Sequence, residues 1–325
     1  MARGIDWESQ IGQRLRLRDL HAFFTVVQLG SMAKAAQKLG VSQPAISKVI
    51  ADLEHAVGVQ LLDRSPKGVE PTSYGDALLK RGLAAFDELK QGIRDIKYLA
   101  DPTAGEVKIG CPESIAIVPP ILKRLARQYP RIVVRVDQIN TATLEFTELR
   151  ERKLDLLLAR LAKPITEHHL ADDDLNVEIL FDDAVVVAAA MRSKWARRRK
   201  IELIELVDAS WILTPPGLMS ATLEQAFRAS GLEMPKIGAM TFSVHLRAQL
   251  LAASESIAAF PRSWLRLNAD HFSLKMLPIS LPSQPWPVAI VTLKSRRSSP
   301  VVALFIEQVR AFTNSMAKWS RTAFQ

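Results

Sequence analysis

Apolar residues near the start of the chain recur every three or four positions, which is the spacing of an amphipathic helix. Three short helices are predicted, over residues 17–27, 31–39 and 43–57. Gly30, Gly40 and Gly58 follow them, and glycine readily adopts the left-handed conformation that ends a helix. Residues 59–71 then predict two extended arms around a turn at residues 65–68. The pattern indicates three helices followed by a wing.

A single long helix is predicted next, over residues 73–99. Ser73 and Asp76 have the spacing of a capping box at its start. Its apolar residues continue at intervals of three and four: Leu79, Leu83, Phe86, Leu89, Ile93 and Ile96. Because a helix this long exposes such a stripe to water, we expect a partner to cover it.

Beyond Gly105, extended and helical segments alternate, which predicts parallel strands joined by helical crossovers. The alternation pauses after about residue 159 and resumes after Asp183 with the strand AVVVAAA. Two α/β units are therefore expected. A last strand, PVAIVTLK, and a helix from Val301 to Phe312 follow, and periodicity alone leaves open which unit they join.

Composition narrows the class of protein. Of the 325 residues, 48% are hydrophobic and 24% charged, which suits a globular protein and argues against a disordered chain. Cys111 is the one cysteine, so an intramolecular disulfide is excluded, and the polar first residues do not resemble a signal peptide. No run approaches the roughly 18 apolar residues of a membrane span. We expect a cytoplasmic protein, and its net charge of +9 permits a nucleic-acid partner.

The strongest functional signal is the segment AAQKLGVSQPAIS, residues 35–47. Ala36 is small enough for two helices to cross closely, Gly40 lies at the turn between them, and Ile46 returns to the shared core. These are the requirements of a helix-turn-helix. An ordinary helical hairpin is the alternative.

In a helix-turn-helix, the N-terminal turns of the second helix enter the major groove of DNA. The residues expected to face DNA are Ser42, Gln43, Pro44, Ser47 and Lys48. The amide of Gln43 can pair with adenine in a bidentate way, whereas the two hydroxyls and Lys48 are expected to hold phosphates.

Residues 16–78 resemble the DNA-binding domain of the LysR-type transcriptional regulators. The start of the recognition helix, SQPAIS, the pair Leu53-Glu54 and Arg64 in the wing carry the resemblance. It implies a winged helix-turn-helix fold, mainly α, and a two-fold symmetric operator in double-stranded DNA. It also implies that Arg64 and Lys67 lie near phosphates or the minor groove, although a solvated turn is the alternative for both.

The resemblance extends over nearly the whole chain and implies a plan of domains. The expected parts are an N-terminal arm at 1–15, the winged helix-turn-helix DNA-binding domain at 16–72, a linker helix and hinge at 73–104 and an effector-binding domain at 105–325. The effector domain is α/β, with two subdomains resembling type 2 periplasmic binding proteins. Subdomain I is expected at about 105–177 and 283–325, and subdomain II at about 178–282.

Family members dimerise through the linker helix, so the resemblance implies a homodimer or homotetramer. The expected dimer contacts are Leu79, Leu83, Phe86 and Ile93. Inducers bind between the subdomains, where strand ends and helix N-termini offer N–H groups. The residues matched to that cleft are Ser114, Thr141, Arg160, Thr214, Pro215, Gly217 and Ser243. Each hydroxyl alone can instead cap a helix, but together with the cation of Arg160 they favour a carboxylate or a sugar.

The implied function is a sequence-specific DNA-binding transcriptional regulator controlled by a small-molecule inducer, with RNA polymerase as a further partner and no cofactor. An enzyme is the main alternative, but the sequence lacks a P-loop, a GxGxxG after a strand and a GxSxG elbow. No metal site is expected, because adjacent side chains such as His168 and His169 point apart on regular structure. Cys111 has no resolving cysteine, so an inert thiol is expected rather than a redox sensor.

Overall fold

The computed structural model describes residues 15–66, 68–141, 145–161 and 174–322. The chain divides after Lys90 into two compact units. Within the described ranges, no helix is long and apolar enough to cross a membrane. The expected N-terminal arm, apart from its last residue, and the pair His168 and His169 lie outside these ranges.

Three helices form the core of the first unit: α1 Leu17–Leu29, α2 Met32–Leu39 and α3 Gln43–Val57. The predicted apolar faces meet in one cluster, in which Phe23, Ala36 and Ile46 are buried. Gly40 has a φ of 67°, a conformation that costs most other residues energy, and it turns the chain from α2 into α3. The three predicted helices and the tight turn are confirmed.

A two-stranded antiparallel wing follows, formed by β1 Leu62–Ser65 and β2 Gly68–Pro71. Glu54 on α3 ties the wing to the helices. Its Oε1 accepts hydrogen bonds from the backbone N–H groups of Leu61 at 2.8 Å and Leu62 at 3.2 Å. Because this carboxylate satisfies two backbone donors at the start of β1, it fixes where the wing leaves α3.

Helix α4, Ser73–Ala100, is 28 residues long and continues from the first unit into the second. The predicted capping box of Ser73 is wrong, because the preceding residue caps the helix. The Oγ1 of Thr72 accepts from the N–H of Gly75 at 3.1 Å and donates to the carbonyl of Gln60 at 2.8 Å. Thr72 thus satisfies a free helix donor and anchors the helix to the wing segment at once.

The second unit contains two five-stranded sheets. Sheet I has the order β4-β3-β5-β12-β6 and comprises β3 Ala104–Cys111, β4 Arg131–Gln138, β5 Leu156–Arg160, β6 Leu175–Asp183 and β12 Trp286–Leu293. Sheet II has the order β11-β7-β10-β8-β9 and comprises β7 Val185–Ala190, β8 Trp211–Leu213, β9 Ile237–Met240, β10 Ile257–Pro261 and β11 Leu274–Met276. The two α/β units expected from the sequence are these sheets with their helices.

Helices cover both sheets. They are α5 Val118–Gln128, α6 Thr147–Arg150, α7 Leu218–Ala229, α8 Val244–Ala252, α9 Arg262–Phe272 and α10 Pro300–Thr322. On sheet I, Leu125 of α5 and Phe305 of α10 share one buried cluster. On sheet II, Phe227 of α7 packs in one cluster and Leu251 of α8 in another. The C-terminal strand and helix, unassigned by periodicity, therefore belong to the first half.

The chain crosses between the sheets twice, as the resemblance implies. The first crossing is at Ala184, several residues after the expected boundary at 177/178, because β6 pairs with β12 from Leu175 to Asp183. The strand that follows each crossing, β7 or β12, runs antiparallel to its neighbours. The prediction of parallel strands does not hold at these two strands, because the returning chain enters each sheet from the opposite end. The remaining contacts of β3 with β4 and β5, and of β8 with β9 and β10, are parallel.

Candidate functional site

The start of α3 presents polar side chains to solvent. Gln43, Pro44 and Lys48 are exposed and Ser47 is half-buried, while Ile46, Ile50 and Leu53 bury the opposite face. Ser42 is the N-cap, and its Oγ accepts from the N–H of Ala45 at 3.4 Å. The hydroxyl of Ser42 therefore supports the helix, and Gln43 and Lys48 are presented for contacts outside the chain.

The wing contributes one described basic residue. Arg64 is exposed on β1 and pairs in register with Val69 of β2. Lys67 lies outside the described residues.

The apolar stripe of α4 divides into two parts. Leu79 packs against the core of the first unit, and the ring of Phe86 meets Phe24 of α1 edge-on, with centroids 5.5 Å apart. Gly82 permits this approach, because a Cβ there would lie 2.3 Å from the ring of Phe24. Leu79 and Phe86 thus contact their own chain, Leu79 at the core of the first unit and Phe86 at α1. The dimer prediction did not anticipate these contacts.

The rest of the apolar stripe of α4 is more exposed to solvent. Leu83 is half-buried, whereas Leu89, Ile93 and Ile96 are 49%, 56% and 68% exposed. We call these last three residues the linker stripe. Three large aliphatic side chains on one helix face form the kind of surface that another protein covers.

The last turns of α4 are attached to sheet I through Asp155. Its carboxylate accepts from Arg94 of α4 at 3.3 Å, from Arg296 at 2.9 Å and from the N–H of Lys108 at 2.8 Å. Asp155 and Arg296 are each only 5% exposed, so water weakens their attraction little. This buried cluster links the helix to the strands of the effector domain.

A cavity of about 470 Å³ opens between the two halves of the second unit. Its wall comes from segments that follow parallel strands: β3 leads to Pro112–Ser114, β4 to Gln138–Thr141, β5 ends at Arg160, and β8 leads to Thr214–Met219. The carboxyl ends of parallel strands are the usual place for a ligand in an open α/β sheet. Of the seven predicted cleft residues, six line this cavity: Ser114, Thr141, Arg160, Thr214, Pro215 and Gly217.

Two of the predicted hydroxyls hold Arg160 in place. The Nη1 of Arg160 donates to Ser114 Oγ at 2.7 Å, and the Oγ1 of Thr141 accepts from the N–H of Arg160 at 3.3 Å. The Nη2 of Arg160 donates to Asp183 at 2.9 Å, and both side chains are buried. Burial lowers the pKa of the Arg160 guanidinium, and the attraction of Asp183 opposes that shift. The predicted ligand cation therefore already has a carboxylate partner.

Ser243 does not line the cavity, contrary to the position expected for it. It is the N-cap of α8, where its Oγ accepts from the N–H of Leu246 at 3.2 Å. Glu113, from the other half, joins this cap. Its carboxylate accepts from Ser243 Oγ at 3.1 Å, the N–H of Val244 at 3.1 Å and His245 Nδ1 at 2.8 Å. This contact joins subdomain I to the helix N-terminus of subdomain II, and we call it the Glu113 latch.

The pKa of Glu113 is lowered even though partial burial raises it, because the hydrogen bonds from His245, Val244 and Ser243 outweigh desolvation. A carboxyl whose pKa is lower in the folded state adds stability above its unfolded pKa, and loses it as the pH falls through the folded value.

Glu113→Gln is therefore expected to lower the free energy of unfolding at neutral pH by about 1 to 2 kcal/mol. The difference from the wild type should shrink as the pH falls from the unfolded pKa of a glutamate, about 4.3, through the lower folded pKa of Glu113, because Glu113 itself then becomes neutral. Urea unfolding at several pH values measures this. A difference that is the same at every pH would show that packing, and not charge, holds the latch.

Among the wall residues that sequence reasoning missed are Arg247, Trp286 and the latch residue Glu113. Glu113 precedes a predicted site residue, and nothing in its local pattern reveals that it reaches α8. Trp286 follows the loop that returns the chain to sheet I. For Arg247 there was a signal, since it is the one charged residue between Leu246 and Ala253 in a helix rich in leucine and alanine.

Cys111 ends β3 inside the buried cluster of sheet I. Burial raises the pKa of its thiol to about 11, so the reactive thiolate is scarce near neutral pH. Among the described residues, no group of three or more metal-ligating side chains is placed to hold an ion.

A winged helix-turn-helix, a long helix and a two-lobed α/β domain around a cavity together define a ligand-responsive DNA-binding regulator. Two family profiles match the chain. One, for the bacterial regulatory helix-turn-helix protein of the lysR family, matches residues 17–76. The other, for the LysR substrate binding domain, matches residues 100–314. The chain belongs to the LysR family of transcriptional regulators, and it is a DNA-binding regulator with an effector domain.

Relatives align over most of their length. The HTH-type transcriptional regulator GbpR of Azospirillum brasilense is 27% identical, with 93% of this chain and 88% of that protein covered. BenM of Acinetobacter baylyi is 25% identical, with 92% and 97% covered. The crystal structure of full-length CbnR complexed with its target DNA has a TM-score of 0.59 at 20% identity, covering 92% of this chain and 100% of that one. The structural likeness supports the fold.

Proposed function

We propose that this regulator binds a two-fold symmetric operator as a homodimer, or as a homotetramer of such dimers, and that a small molecule in the cavity controls the binding. The observation that carries the proposal is the cavity itself, whose wall draws residues from both halves of the effector domain. A ligand that contacts both halves favours one relative setting of them over others.

On DNA, we assign base reading to Gln43 and phosphate contacts to Lys48. Ser42, Pro44 and Ser47 complete the helix start that enters the major groove, and Arg64 and Lys67 of the wing are assigned to the backbone or the minor groove. The exposure of Gln43 and Lys48 above a buried apolar face supports this assignment.

Gln43→Ala and Lys48→Ala should therefore weaken DNA binding in different ways. Gln43→Ala should reduce the discrimination between the operator and a mutated operator by about 1 to 3 kcal/mol. Lys48→Ala should weaken binding to both sequences alike and lower the slope of log affinity against log salt by about one. Gel-shift titrations at several salt concentrations measure both. If Gln43→Ala keeps full discrimination, Gln43 is not a base reader.

The linker stripe is assigned to the contact between two copies of the chain, with Leu83 at its edge. Its exposure on the isolated chain supports this. The signal from the cavity is proposed to reach the DNA-binding domain through α4, because the cluster around Asp155 attaches the last turns of that helix to sheet I.

We also infer that the protein acts in the cytoplasm, that it contacts RNA polymerase and that it catalyses no reaction. The support is the class of its relatives, which are transcriptional regulators. The inducer is proposed to be a small polar molecule, a carboxylate or a sugar, and no cofactor is proposed beside it.

A further inference from the structure

Two buried arginines face the cavity, and only one has a carboxylate partner. Arg160 shares its charge with Asp183 and donates to Ser114. Arg247 lies on α8 in the other half and is 2% exposed. Among the described residues it forms no ion pair.

The contacts of Arg247 are few for a buried guanidinium. Its Nη1 donates to the carbonyl of Thr241 at the long distance of 3.5 Å. Its guanidinium carbon lies 5.0 Å from the ring centroid of Phe260, and its Nε has no hydrogen-bond partner in the described part of the chain. Burial lowers the pKa of Arg247 to about 10, with the charge of Glu113 acting in the opposite direction. A buried cation without a carboxylate partner lowers the stability of the folded protein.

Glu113 is the carboxylate whose charge acts on Arg247, but it is committed elsewhere. Its oxygens accept from Ser243, Val244 and His245 in the latch. Glu113 thus attracts the charge of Arg247 from a distance, and no hydrogen bond joins the two side chains. A buried polar group that lacks a partner in a cavity wall is suited to a ligand that supplies one.

The remaining wall is mainly apolar. Its apolar side chains are Pro112, Ile139, Pro215, Pro216, Leu218, Met219, Phe242 and Trp286. The Oγ1 of Thr214 is a further polar atom of the wall that is buried without a partner in the described part of the chain. Such a wall suits a ligand with one charged end and an apolar body. A sugar needs partners around its whole ring, and burying unmatched hydroxyls against this wall is costly.

We propose that the cavity binds a small monocarboxylate with an apolar body, whose carboxylate is held by Arg247 and by the hydroxyl of Thr214. This rests on the proposed function and narrows the inducer from a carboxylate or a sugar to one chemical class. Arg247 makes the ion pair, and the apolar wall selects against ligands that carry several charges.

The test uses the full-length protein and three carboxylates, benzoate, phenylacetate and hexanoate, each beside its uncharged amide. Titration calorimetry and thermal unfolding at millimolar ligand measure binding. At least one carboxylate should bind, and its amide should bind about tenfold to a hundredfold more weakly. Arg247→Met should remove that preference for the carboxylate. Failure of all three carboxylates, equal binding of the amides, or a preference that survives in Arg247→Met overturns the proposal.

A second measurement needs no ligand. Arg247→Met should leave the midpoint of thermal unfolding unchanged or raise it, because an apolar side chain of similar length replaces a buried cation without a carboxylate partner. Arg160→Met on the opposite wall is the matched control, and it should lower the midpoint, since Asp183 loses its cation. If Arg247→Met lowers the midpoint as much as Arg160→Met does, Arg247 serves the fold and the proposal is overturned.

Operator titrations with and without the bound carboxylate distinguish the proposed carboxylate site from the proposed control of DNA binding by a ligand in the cavity. If the carboxylate binds through Arg247 but leaves operator affinity unchanged, control by a ligand fails and the carboxylate site stands. If no carboxylate binds but an uncharged compound that occupies the same cavity changes operator affinity, control by a ligand stands and the carboxylate site fails.

Discussion

Replacing Arg160 with methionine is expected to lower the free energy of unfolding of the effector domain by about 3 to 5 kcal/mol. Arg160 and Asp183 are 5% and 2% exposed, and their atoms approach to 2.9 Å. Removing the cation leaves Asp183 charged in a site that water barely reaches. Its other donors, the N–H and Oγ of Ser263 at 2.9 and 2.6 Å, do not carry a positive charge.

Urea unfolding followed by tryptophan fluorescence measures the loss, since the ring of Trp286 lies 5.7 Å from the guanidinium carbon of Arg160. Adding Asp183→Asn to Arg160→Met should recover part of the stability, because the unpaired charge disappears. The exposed Arg192 provides the control, and Arg192→Met should change stability by no more than about 0.5 kcal/mol. A loss for Arg160→Met as small as that of the control would contradict a structural role for the pair.

The double variant Leu89→Glu with Ile93→Glu is expected to convert the protein to monomers and to weaken operator binding about a hundredfold to ten-thousandfold. Both side chains are exposed on the isolated chain, so the carboxylates should not disturb the fold of a single copy. In the dimer they would bring four charges into an apolar contact. The loss in affinity follows because a linked second reading helix no longer raises the effective concentration at its half-site.

Sedimentation measures the oligomeric state and gel shifts measure the affinity. The matched control is Leu89→Met with Ile93→Met, which keeps the surface apolar and close in volume, and it should sediment and bind as the wild type does. If the glutamate variant keeps the wild-type oligomer and operator affinity, the linker stripe is not the contact between copies.

The sequence predicted the DNA-binding domain well because its cues are local. The spacing of Phe23, Ile46 and Ile50 fixes which helix faces are buried, and Gly40 marks the turn. The start of α4 at residue 73 was predicted, but its cap was assigned to Ser73 instead of Thr72, because the bond between Thr72 and Gln60 depends on where the wing lies. Local spacing carries no information on such a contact.

The sequence located the cavity, but it predicted the roles of the residues in the cavity wall only in part. Segments after parallel strands identify where a ligand binds, which is why six of the seven matched residues line it. Their roles depend on partners far apart in the chain. Ser114 and Arg160, 46 positions apart, satisfy each other, and Ser243 meets Glu113 across 130 positions. The lack of a partner for Arg247 is likewise a property of the folded chain alone.

The central claim is that the chain is a dimeric, sequence-specific regulator controlled through the cavity. The most direct test selects genomic DNA fragments with the full-length protein, and then measures the affinity of the selected site with and without the carboxylates that bind the cavity. The account predicts a shared inverted repeat, bound about a thousandfold or more tightly than unrelated DNA of the same length, with an affinity or footprint that changes when the cavity is occupied. Selected fragments without two-fold symmetry, or a footprint and affinity that stay the same when the cavity is filled, would contradict it.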